Sequence, residues 1–408
     1  MFDVNKIRND FPMFKNNPNM IYLDNGATTF KSQSVIDAIT SFYTHNTCNV
    51  HAEDYTLTYN MSKEIDDSRV CVKDFLNAKD AKEIVFTKSA TESLNTVAFG
   101  YGKKFLKEND VIISSFEEHA SSVLPWFVLA KEKNCVVKYM PINNDGVVDL
   151  AKLEELLKEG NVKIIDVTYV SNVLGYINPI KEICTLAHKY GAIVNVDGTQ
   201  AVPHIKVDVQ DLDVDFLSFS AHKMTGPDGV GVLYGKFDLL NSMDPFLYGG
   251  GANARFDKEC NIILKDVPER FEAGSPNTEA ILGLRAAVKY LSNVGMDNIE
   301  QYEREMKKYL VSKIKKLNNL EIYNLNSELG LLSFNVKGIF AQDVTTYLNT
   351  KNICVRSGNH CAKILHNLIG TDTTIRASIY FYNTKEEIDL LIDALKNCTL
   401  ENCIGVIV

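Results

Sequence analysis

The sequence predicts an α/β protein, with a large domain built on a mostly parallel β-sheet and a smaller α+β domain at the C-terminal end. Between about residues 83 and 235, short β-branched or aromatic runs alternate with helical patterns. This alternation is typical of parallel strands covered by helices on both faces. After residue 277, two long helical patterns lead into a mixture of strands and helices. With 408 residues, the chain is long enough for two hydrophobic cores.

The strands of the large domain are predicted from runs rich in Ile, Val and aromatic residues. They cover residues 83–87, 111–114, 163–170 and 192–197. A helix is predicted over 179–190, because its apolar residues fall on one helical face and Gly191 ends the pattern. Since the carboxyl ends of parallel strands form the ligand crevice of such sheets, we expect the functional site there.

The C-terminal part is predicted from longer helical patterns and one clear strand. Helices are expected over 279–291, 296–317, 341–350 and 385–397, and a strand over 330–336. No low-complexity linker is evident, so we expect a helix to cross between the domains near residue 285. The predicted organisation is an N-terminal segment (1–20) that packs on the small domain, a large domain (21–285) and a small domain (286–408).

Composition excludes several classes of function. The net charge is −9 and no dense basic run is present, so we expect no binding to nucleic acid. No stretch approaches ~20 uninterrupted apolar residues, and the first ten residues lack the pattern of a secretory signal, so no membrane association is expected. The nine cysteines form no CxxC pair. Scattered, unpaired thiols favour a reducing, cytoplasmic location.

The most informative motif is Ser220-Ala221-His222-Lys223, at the end of an apolar run. A lysine held at the end of a buried strand can bond an aldehyde cofactor as a Schiff base, provided that burial and nearby positive charge lower the pKa of its amine. A lysine that simply reaches solvent would explain the same position, and by itself this is the favoured interpretation. The hydroxyl and imidazole beside it add modest support for a cofactor phosphate.

A second motif is Asp197-Gly198-Thr199-Gln200, after four apolar positions. A buried carboxylate needs a cation, and a protonated pyridine nitrogen is one. Gln200 could reach the phenolic oxygen of the same ring. An aspartate that caps the turn at Gly198 is about equally probable when the motif is taken alone.

Two further signals are weak when taken alone. Small residues and a hydroxyl at Ser89, Ala90 and Thr91 precede a helix, where free backbone N–H groups suit a phosphate, but ordinary N-capping explains them too. His119 follows another predicted strand and could stack on a planar ring and move protons near neutral pH. A lone histidine is more often structural.

Taken together, these motifs resemble those of the class V aminotransferase family of pyridoxal-phosphate enzymes, and more closely the Suf-type cysteine desulfurases. The resemblance runs from Tyr22-Leu23-Asp24-Asn25-Gly26-Ala27-Thr28 to Tyr382-Asn383-Thr384. Its most specific stretches are Ser171-Asn172-Val173-Leu174-Gly175, Asp197-Gly198-Thr199-Gln200-Ala201-Val202, Ser220-Ala221-His222-Lys223, Phe271-Glu272-Ala273-Gly274-Ser275-Pro276-Asn277-Thr278 and Arg356-Ser357-Gly358-Asn359-His360-Cys361-Ala362. It implies a pyridoxal-phosphate transferase of fold type I.

The resemblance also implies roles for individual residues. Lys223 corresponds to the lysine that bonds pyridoxal 5'-phosphate, Asp197 to the partner of the pyridine nitrogen and Gln200 to the donor to the phenolic oxygen. His119 corresponds to the ring-stacking base, and Asn172 to a residue that contacts both cofactor and substrate. The phosphate would be bound by Ala90, Thr91, Ser220 and His222, and by Thr278 of the neighbouring subunit of a homodimer.

Two late residues acquire roles in the same way. Cys361 lies in a polar turn with Gly358 and Asn359, where a thiolate could be presented to substrate. Without the resemblance, an inert core thiol would be the better interpretation. Arg376 corresponds to the residue that binds the substrate carboxylate, for which a planar guanidinium is suited.

The sequence therefore predicts a pyridoxal-phosphate-dependent cysteine desulfurase. It would convert L-cysteine to L-alanine, form a persulfide on Cys361 and pass the sulfur to a Suf-type acceptor protein for iron–sulfur cluster assembly. The alternatives are selenocysteine lyase, cysteine-sulfinate desulfinase or another class V enzyme, and, less favoured, a non-catalytic sulfur-relay scaffold. No metal ligand set is expected.

Overall fold

The computed structural model describes residues 2–50, 54–143 and 146–404. The strands are β1 (Ile21–Tyr22), β2 (Ile84–Thr87), β3 (Val111–Ser115), β4 (Val136–Met140), β5 (Val162–Thr168), β6 (Ile193–Asp197), β7 (Phe216–Ser220), β8 (Gly231–Gly235), β9 (Asn253–Phe256), β10 (Ile262–Leu264), β11 (Leu320–Ile322), β12 (Leu331–Val336), β13 (Ile353–Cys354), β14 (Arg356–Gly358) and β15 (Thr374–Ser378).

The α-helices are α1 (Val4–Arg8), α2 (Pro12–Asn16), α3 (Gln33–Ser41), α4 (Thr56–Phe75), α5 (Ala90–Thr96), α6 (Lys103–Phe105), α7 (Ala120–Lys133), α8 (Leu150–Lys158), α9 (Ile180–Lys189), α10 (Val209–Leu212), α11 (Phe237–Ser242), α12 (Thr278–Val294), α13 (Met296–Ile314), α14 (Ala341–Asn349), α15 (Lys363–Leu368), α16 (Lys385–Lys396) and α17 (Leu400–Ile404). Short π-helical or 3-10 segments cover Phe42–Asn46, Ala81–Glu83, Val97–Gly102, Ala221–Lys223 and Glu269–Phe271. No helix among the described residues is long and apolar enough to cross a membrane.

The large sheet has seven strands in the order β2-β8-β7-β6-β5-β3-β4. Strands β3 to β7 are mutually parallel, while β8 is antiparallel to both of its neighbours, which confirms the mostly parallel sheet. The register pairs Thr168 with Asp197, and Asp197 with Ser218, so the carboxyl ends of β5, β6 and β7 meet at one edge.

Both faces of this sheet are covered by apolar side chains. Along β3, Val111 and Ile113 belong to one hydrophobic cluster, and Ile112 between them belongs to another. Alternate residues of a strand point to opposite faces, so each face of the sheet has its own core. Because water is excluded from both faces, polar side chains concentrate at the strand ends.

The second sheet, in the order β11-β12-β15-β14, is antiparallel and packs with α13, α14 and α16 around a separate core. The helix α12 spans the position near residue 285 where the domains were expected to join, and α13 begins directly after Gly295. The N-terminal segment contributes Phe11, which contacts Tyr290, Phe381 and Tyr382. Strand β1 pairs in parallel with β13.

One buried ion pair fixes the strand that leads into the site. Arg69 on α4 donates to both carboxylate oxygens of Glu272, at 2.7 and 2.9 Å, and to the carbonyl of Ile84 at 2.7 Å. Glu272 also accepts from the backbone N–H of Phe86 at 2.7 Å. Arg69 is buried, and burial shields this pair from solvent. Removal of either partner would therefore leave the charge of the other buried without compensation.

We expect Glu272→Gln to lower the free energy of unfolding by about 3 kcal/mol, because it leaves the buried Arg69 guanidinium uncompensated. Urea denaturation, with matched cofactor content, measures this difference. The control is Lys152→Gln, which removes an exposed pair with Glu155 and should change stability by less than about 0.5 kcal/mol. Similar stabilities for the two variants would show that the Arg69 pair contributes nothing beyond a surface contact.

Candidate active site

Most of the side chains predicted from the sequence line one cavity at the carboxyl ends of the parallel strands. Its volume is about 240 Å³. The predicted residues that line it are Ala90, Thr91, His119, Asn172, Asp197, Gln200, Ser220, His222, Lys223, Cys361 and Arg376. Residues from both parts of the chain therefore contribute to one site, with Cys361 and Arg376 coming from the C-terminal part.

Lys223 stands in a 3-10 turn that directly follows β7. Burial lowers the pKa of its amine to about 8, opposed by the nearby Asp197 carboxylate and assisted by Arg376 and Arg356. The turn is fixed by the backbone N–H of Thr29, which donates to the carbonyl of His222 at 3.0 Å. The unprotonated fraction of the amine near neutral pH is therefore far larger than for a lysine in water, and the neutral amine is the form that acts as a nucleophile.

Asp197 ends β6 beside this lysine and is buried. One of its carboxylate oxygens accepts from the backbone N–H of Thr199 at 2.9 Å, which is the turn-capping contact expected from the sequence. Gln200 lines the same wall and donates to the carbonyl of Gly26 at 2.8 Å. The turn fixes both side chains toward the cavity.

The turn after β2 brings backbone N–H groups to the opposite wall. Ser89 caps the helix that starts at Ala90, and the backbone N–H of Ala90 donates to the hydroxyl of Ser220 at 2.7 Å. A Cβ on Gly231 would lie 2.5 Å from the carbonyl carbon of Ser89, so only glycine lets β8 approach this turn. The close approach leaves hydroxyls and N–H groups grouped as an anion would require.

His119 caps the start of α7 with its ring beside the cavity. Its Nδ1 atom accepts from the backbone N–H of Ser121 at 3.1 Å, so in the neutral ring the proton is on Nε2. Burial, and then the charge of Lys223, lower the pKa of His119. The same cap thus fixes the orientation and the tautomer of the imidazole.

Arg376, at the centre of β15, has only 2% of its surface exposed. Its Nη1 donates to the carbonyl of Asn172 at 2.9 Å, and its Nη2 lies 3.3 Å from the Asp24 carboxylate. Its buried Nε–H has no partner in the described part of the chain. The Nε–H is therefore an unused donor on one edge of the guanidinium, a planar group whose geometry suits a carboxylate.

Comparison with known proteins agrees with this geometry. The family profile described as Aminotransferase class-V matches residues 21–391.

The chain belongs to the class V aminotransferase family.

Relatives of this protein match nearly the whole chain. A probable cysteine desulfurase of Halalkalibacterium halodurans is 38% identical, and the match covers 97% of each chain. A cysteine desulfurase of Haloferax volcanii is 37% identical, with 96% of each chain covered. Among solved structures, the cysteine desulfurase CsdA of Escherichia coli aligns with a TM-score of 0.91 and 33% identity, over 97% of this chain and 98% of that one. The family is pyridoxal-phosphate-dependent, and the fold is type I.

One residue that the sequence predicts for the site lies outside the cavity. Thr278 is the first residue of α12 and is buried, but it does not line this cavity. The sequence motif assigned Thr278 to a neighbouring subunit, and a single chain does not test that role.

Sequence reasoning missed several residues that the fold brings to the cavity. Arg356 lines the cavity and pairs with Arg376 across β14 and β15. Two arginines opposite each other repel unless an anion lies between them. Arg356 is the first residue of the motif that contains Cys361, so that motif was the sequence feature that could have identified Arg356. Gly26 and His360 line the same cavity.

A buried acidic layer lies behind the cavity and was not predicted either. Burial raises the pKa of Asp166 to about 7 and raises that of Glu118 well above its ordinary value. Glu118 accepts from the hydroxyl of Ser115 at 2.5 Å and from the backbone N–H of Thr168 at 2.7 Å. The raised pKa values favour the protonated form of both groups relative to carboxyl groups in water, which limits the negative charge around Asp197.

We expect the Lys223 amine to titrate near pH 8, because burial lowers its pKa to about 8. In cofactor-free protein, its reaction with a small aldehyde, trapped by borohydride, should rise between about pH 7 and 9 as the neutral amine forms. Peptide mass spectrometry measures the labelled fraction, and Lys223→Ala provides the blank. A half-maximal rate near pH 10 would mean that the amine is solvated.

Proposed function

We propose that this member of the class V aminotransferase family is a pyridoxal-phosphate-dependent cysteine desulfurase. The reaction is L-cysteine plus the Cys361 thiol giving L-alanine plus a persulfide on Cys361. The observation that carries the proposal is that an exposed cysteine thiol, a lysine of lowered pKa and a buried arginine line one cavity. Alanine formation and thiol persulfidation require all three groups within reach of one amino acid.

The residues present fit pyridoxal 5'-phosphate. The turn at Ala90, the hydroxyls of Thr91 and Ser220 and the His222 ring would bind the phosphate, and Gly231 lets β8 approach that turn. Asp197 would pair with the ring nitrogen, Gln200 would donate to the phenolic oxygen and His119 would lie against the ring. When bound through Lys223, the cofactor supplies an electron sink for the bonds of the substrate α-carbon.

The protein side chains then position and deprotonate the substrate. Arg376 binds the α-carboxylate through its free edge, with Arg356 beside it and Asn172 holding the opposite edge. The Lys223 Nζ atom, unprotonated in part at neutral pH, takes and returns the proton of the α-carbon. The Cys361 thiolate attacks the substrate sulfur as the Cβ–S bond of the substrate breaks. The electron pair of that bond passes to Cβ, which takes up the proton that the thiol lost and becomes the methyl group of alanine.

The loop of Cys361 supports transfer of sulfur to a further protein. Cys361 is exposed and follows an antiparallel strand at the edge of the small sheet. A persulfide there is accessible from outside, which fits a Suf-type acceptor protein and delivery of sulfur to iron–sulfur cluster assembly. All nine cysteines are free thiols, which fits a reducing cytoplasmic location.

We also propose a homodimer and the domain division given above. Phe256, Ile262 and Ile263, on the β9–β10 hairpin, are 72%, 56% and 58% exposed. Exposed apolar patches of this kind mark protein–protein interfaces. The division into a large domain (21–285) and a small one (286–408) is supported by two separate hydrophobic clusters, one on each sheet.

We expect Cys361→Ser to reduce alanine formation from L-cysteine by at least about a hundredfold, because the sulfur loses its acceptor. Mass spectrometry should show a gain of about 32 Da on Cys361 of the wild-type protein, lost on reduction, and none in the variant. The visible absorbance of the bound cofactor should persist. Cys135→Ser, at a partly exposed cysteine outside the cavity, is the control.

Alanine formation at the wild-type rate in Cys361→Ser would contradict the proposal. That result would favour a lyase reaction, such as that of a selenocysteine lyase, in which no protein thiol accepts the sulfur. A purified protein without visible cofactor absorbance would favour a non-catalytic scaffold.

We expect sedimentation velocity to give about twice the 45.7 kDa mass of the chain. Replacing Ile262 and Ile263 with Asp should shift the protein toward monomer, because charge is introduced into the apolar hairpin surface. Phe340→Asp alters a residue that is similarly exposed (57%) on the small domain and should leave the mass unchanged. A monomeric wild-type protein would refute the homodimer.

A further inference from the structure

The backbone that carries Cys361 is strained. His360 and Cys361 have φ values of 50° and 58°, so two consecutive residues with side chains occupy the left-handed region. Such conformations are unfavourable for residues other than glycine and persist only where surrounding contacts hold them. Something must therefore hold this loop.

Part of the support comes from the large domain. The side-chain amide of Asn172 donates to the carbonyl of His360 at 2.9 Å, and the backbone N–H of Ala120 donates to the carbonyl of Cys361 at 2.7 Å. Within the loop, the backbone N–H of Cys361 donates to the side chain of Asn359 at 3.1 Å. These contacts fix the backbone on the cavity side only.

On the opposite side, three buried side chains form a chain of hydrogen bonds. His360 Nε2 lies 3.1 Å from the hydroxyl of Thr374 and 3.2 Å from its carbonyl, and His366 Nε2 lies 3.2 Å from the same hydroxyl. His366 Nδ1 lies 3.0 Å from the carbonyl of Ala362. The three side chains are almost fully buried.

Counting donors and acceptors assigns every proton in this chain. A carbonyl only accepts, so His366 carries its proton on Nδ1 and accepts at Nε2. The Thr374 hydroxyl therefore donates to His366 and accepts from His360 Nε2–H. The two Nε2 atoms and the hydroxyl between them therefore have fixed donor and acceptor roles, so none of the three side chains can rotate without breaking a hydrogen bond in a buried site.

Neither Thr374 nor His366 lines the cavity, but both stand beside residues that do. Thr374 is two residues before Arg376 on β15, and His366 is one turn into α15, directly after the loop. The chain thus connects the strand that carries the carboxylate-binding arginine to the loop that carries the thiol.

We propose that Thr374 and His366 are positioning residues for sulfur transfer, and that the hydrogen-bonded chain His360–Thr374–His366 holds the strained loop so that Cys361 meets the substrate sulfur. This proposal rests on the proposed desulfurase function. Loss of the chain allows the loop to relax and moves the thiol away from the sulfur, while cofactor and substrate carboxylate are bound as before.

The test compares Thr374→Val, which keeps the shape and removes the hydroxyl, with Thr374→Ser, which keeps the hydroxyl. In the holoenzyme, Thr374→Val should slow persulfide formation on Cys361 in a single turnover by about tenfold, since a small displacement of a reacting group reduces the rate strongly. The L-cysteine concentration for half-maximal rate, and the cofactor spectral change on adding L-alanine, should not change. Thr374→Ser should remain within about twofold of wild type.

Hydrogen exchange of residues 358–368 supplies a readout that does not require activity. Exchange should be faster in Thr374→Val and in His366→Phe, which removes the other end of the chain, but not in Thr374→Ser. If Thr374→Val fails to fold, as judged by circular dichroism, His366→Phe carries the same expectations.

Equal persulfide rates in Thr374→Val and Thr374→Ser would overturn the proposal. Slower transfer without faster exchange in the loop would also overturn it, because the effect would then not act through positioning. If the wild-type protein forms no persulfide, the proposed function fails, whereas the exchange difference between the two threonine variants still decides whether the chain holds the loop.

Discussion

The site depends on two groups of opposite charge, Asp197 and Lys223, that lie shielded from bulk water at the carboxyl edge of the parallel strands. Asp197 ends β6, Lys223 follows β7, and the pairing of Asp197 with Ser218 fixes the separation of the two strand ends. Burial alone would lower the pKa of the lysine further, and the carboxylate limits that effect. The balance leaves an amine that can be both nucleophile and proton carrier near neutral pH.

The second sheet brings Arg376, on β15, and Cys361, in the loop after β14, to this edge. Arg376 is held by the Asn172 carbonyl and by Asp24, both from outside its own sheet, and Cys361 is held through the backbone of Ala120. These two side chains of the C-terminal part are therefore oriented by contacts with other parts of the chain. A shift of the second sheet relative to the first would move Arg376 and Cys361 together.

Much of this arrangement could be predicted from local sequence, because strand ends are local features. Asp197, Ser220 and Lys223 each follow a recognisable apolar run, and parallel topology brings such ends together. The observed helices α9 and α12 differ from the predicted ones by only a few residues at their ends, as helix ends are set by capping contacts that sequence patterns locate poorly.

The sequence could not show contacts between residues that are far apart along the chain. The pairing of Arg356 with Arg376, the Asp24 contact and the bridge from His360 through Thr374 to His366 all depend on register and side-chain direction. His366 and Thr374 belong to none of the motifs that indicate a role in the site. A hydrophobic periodicity would only assign both residues to a buried core. Thr278 illustrates the opposite case, in which a motif assigns a role that one chain cannot display.

The pairing of β1 with β13 has a consequence for biogenesis. Ile21 and Ile353 are separated by all the strands of the seven-stranded sheet, so β1 can pair with β13 only after that whole sheet has been synthesised. Contacts of such long sequence separation form late and slowly. The seven-stranded sheet can therefore acquire its own core before β1 and β13 meet, and the loop that carries Cys361, which follows β13, is synthesised only after that sheet.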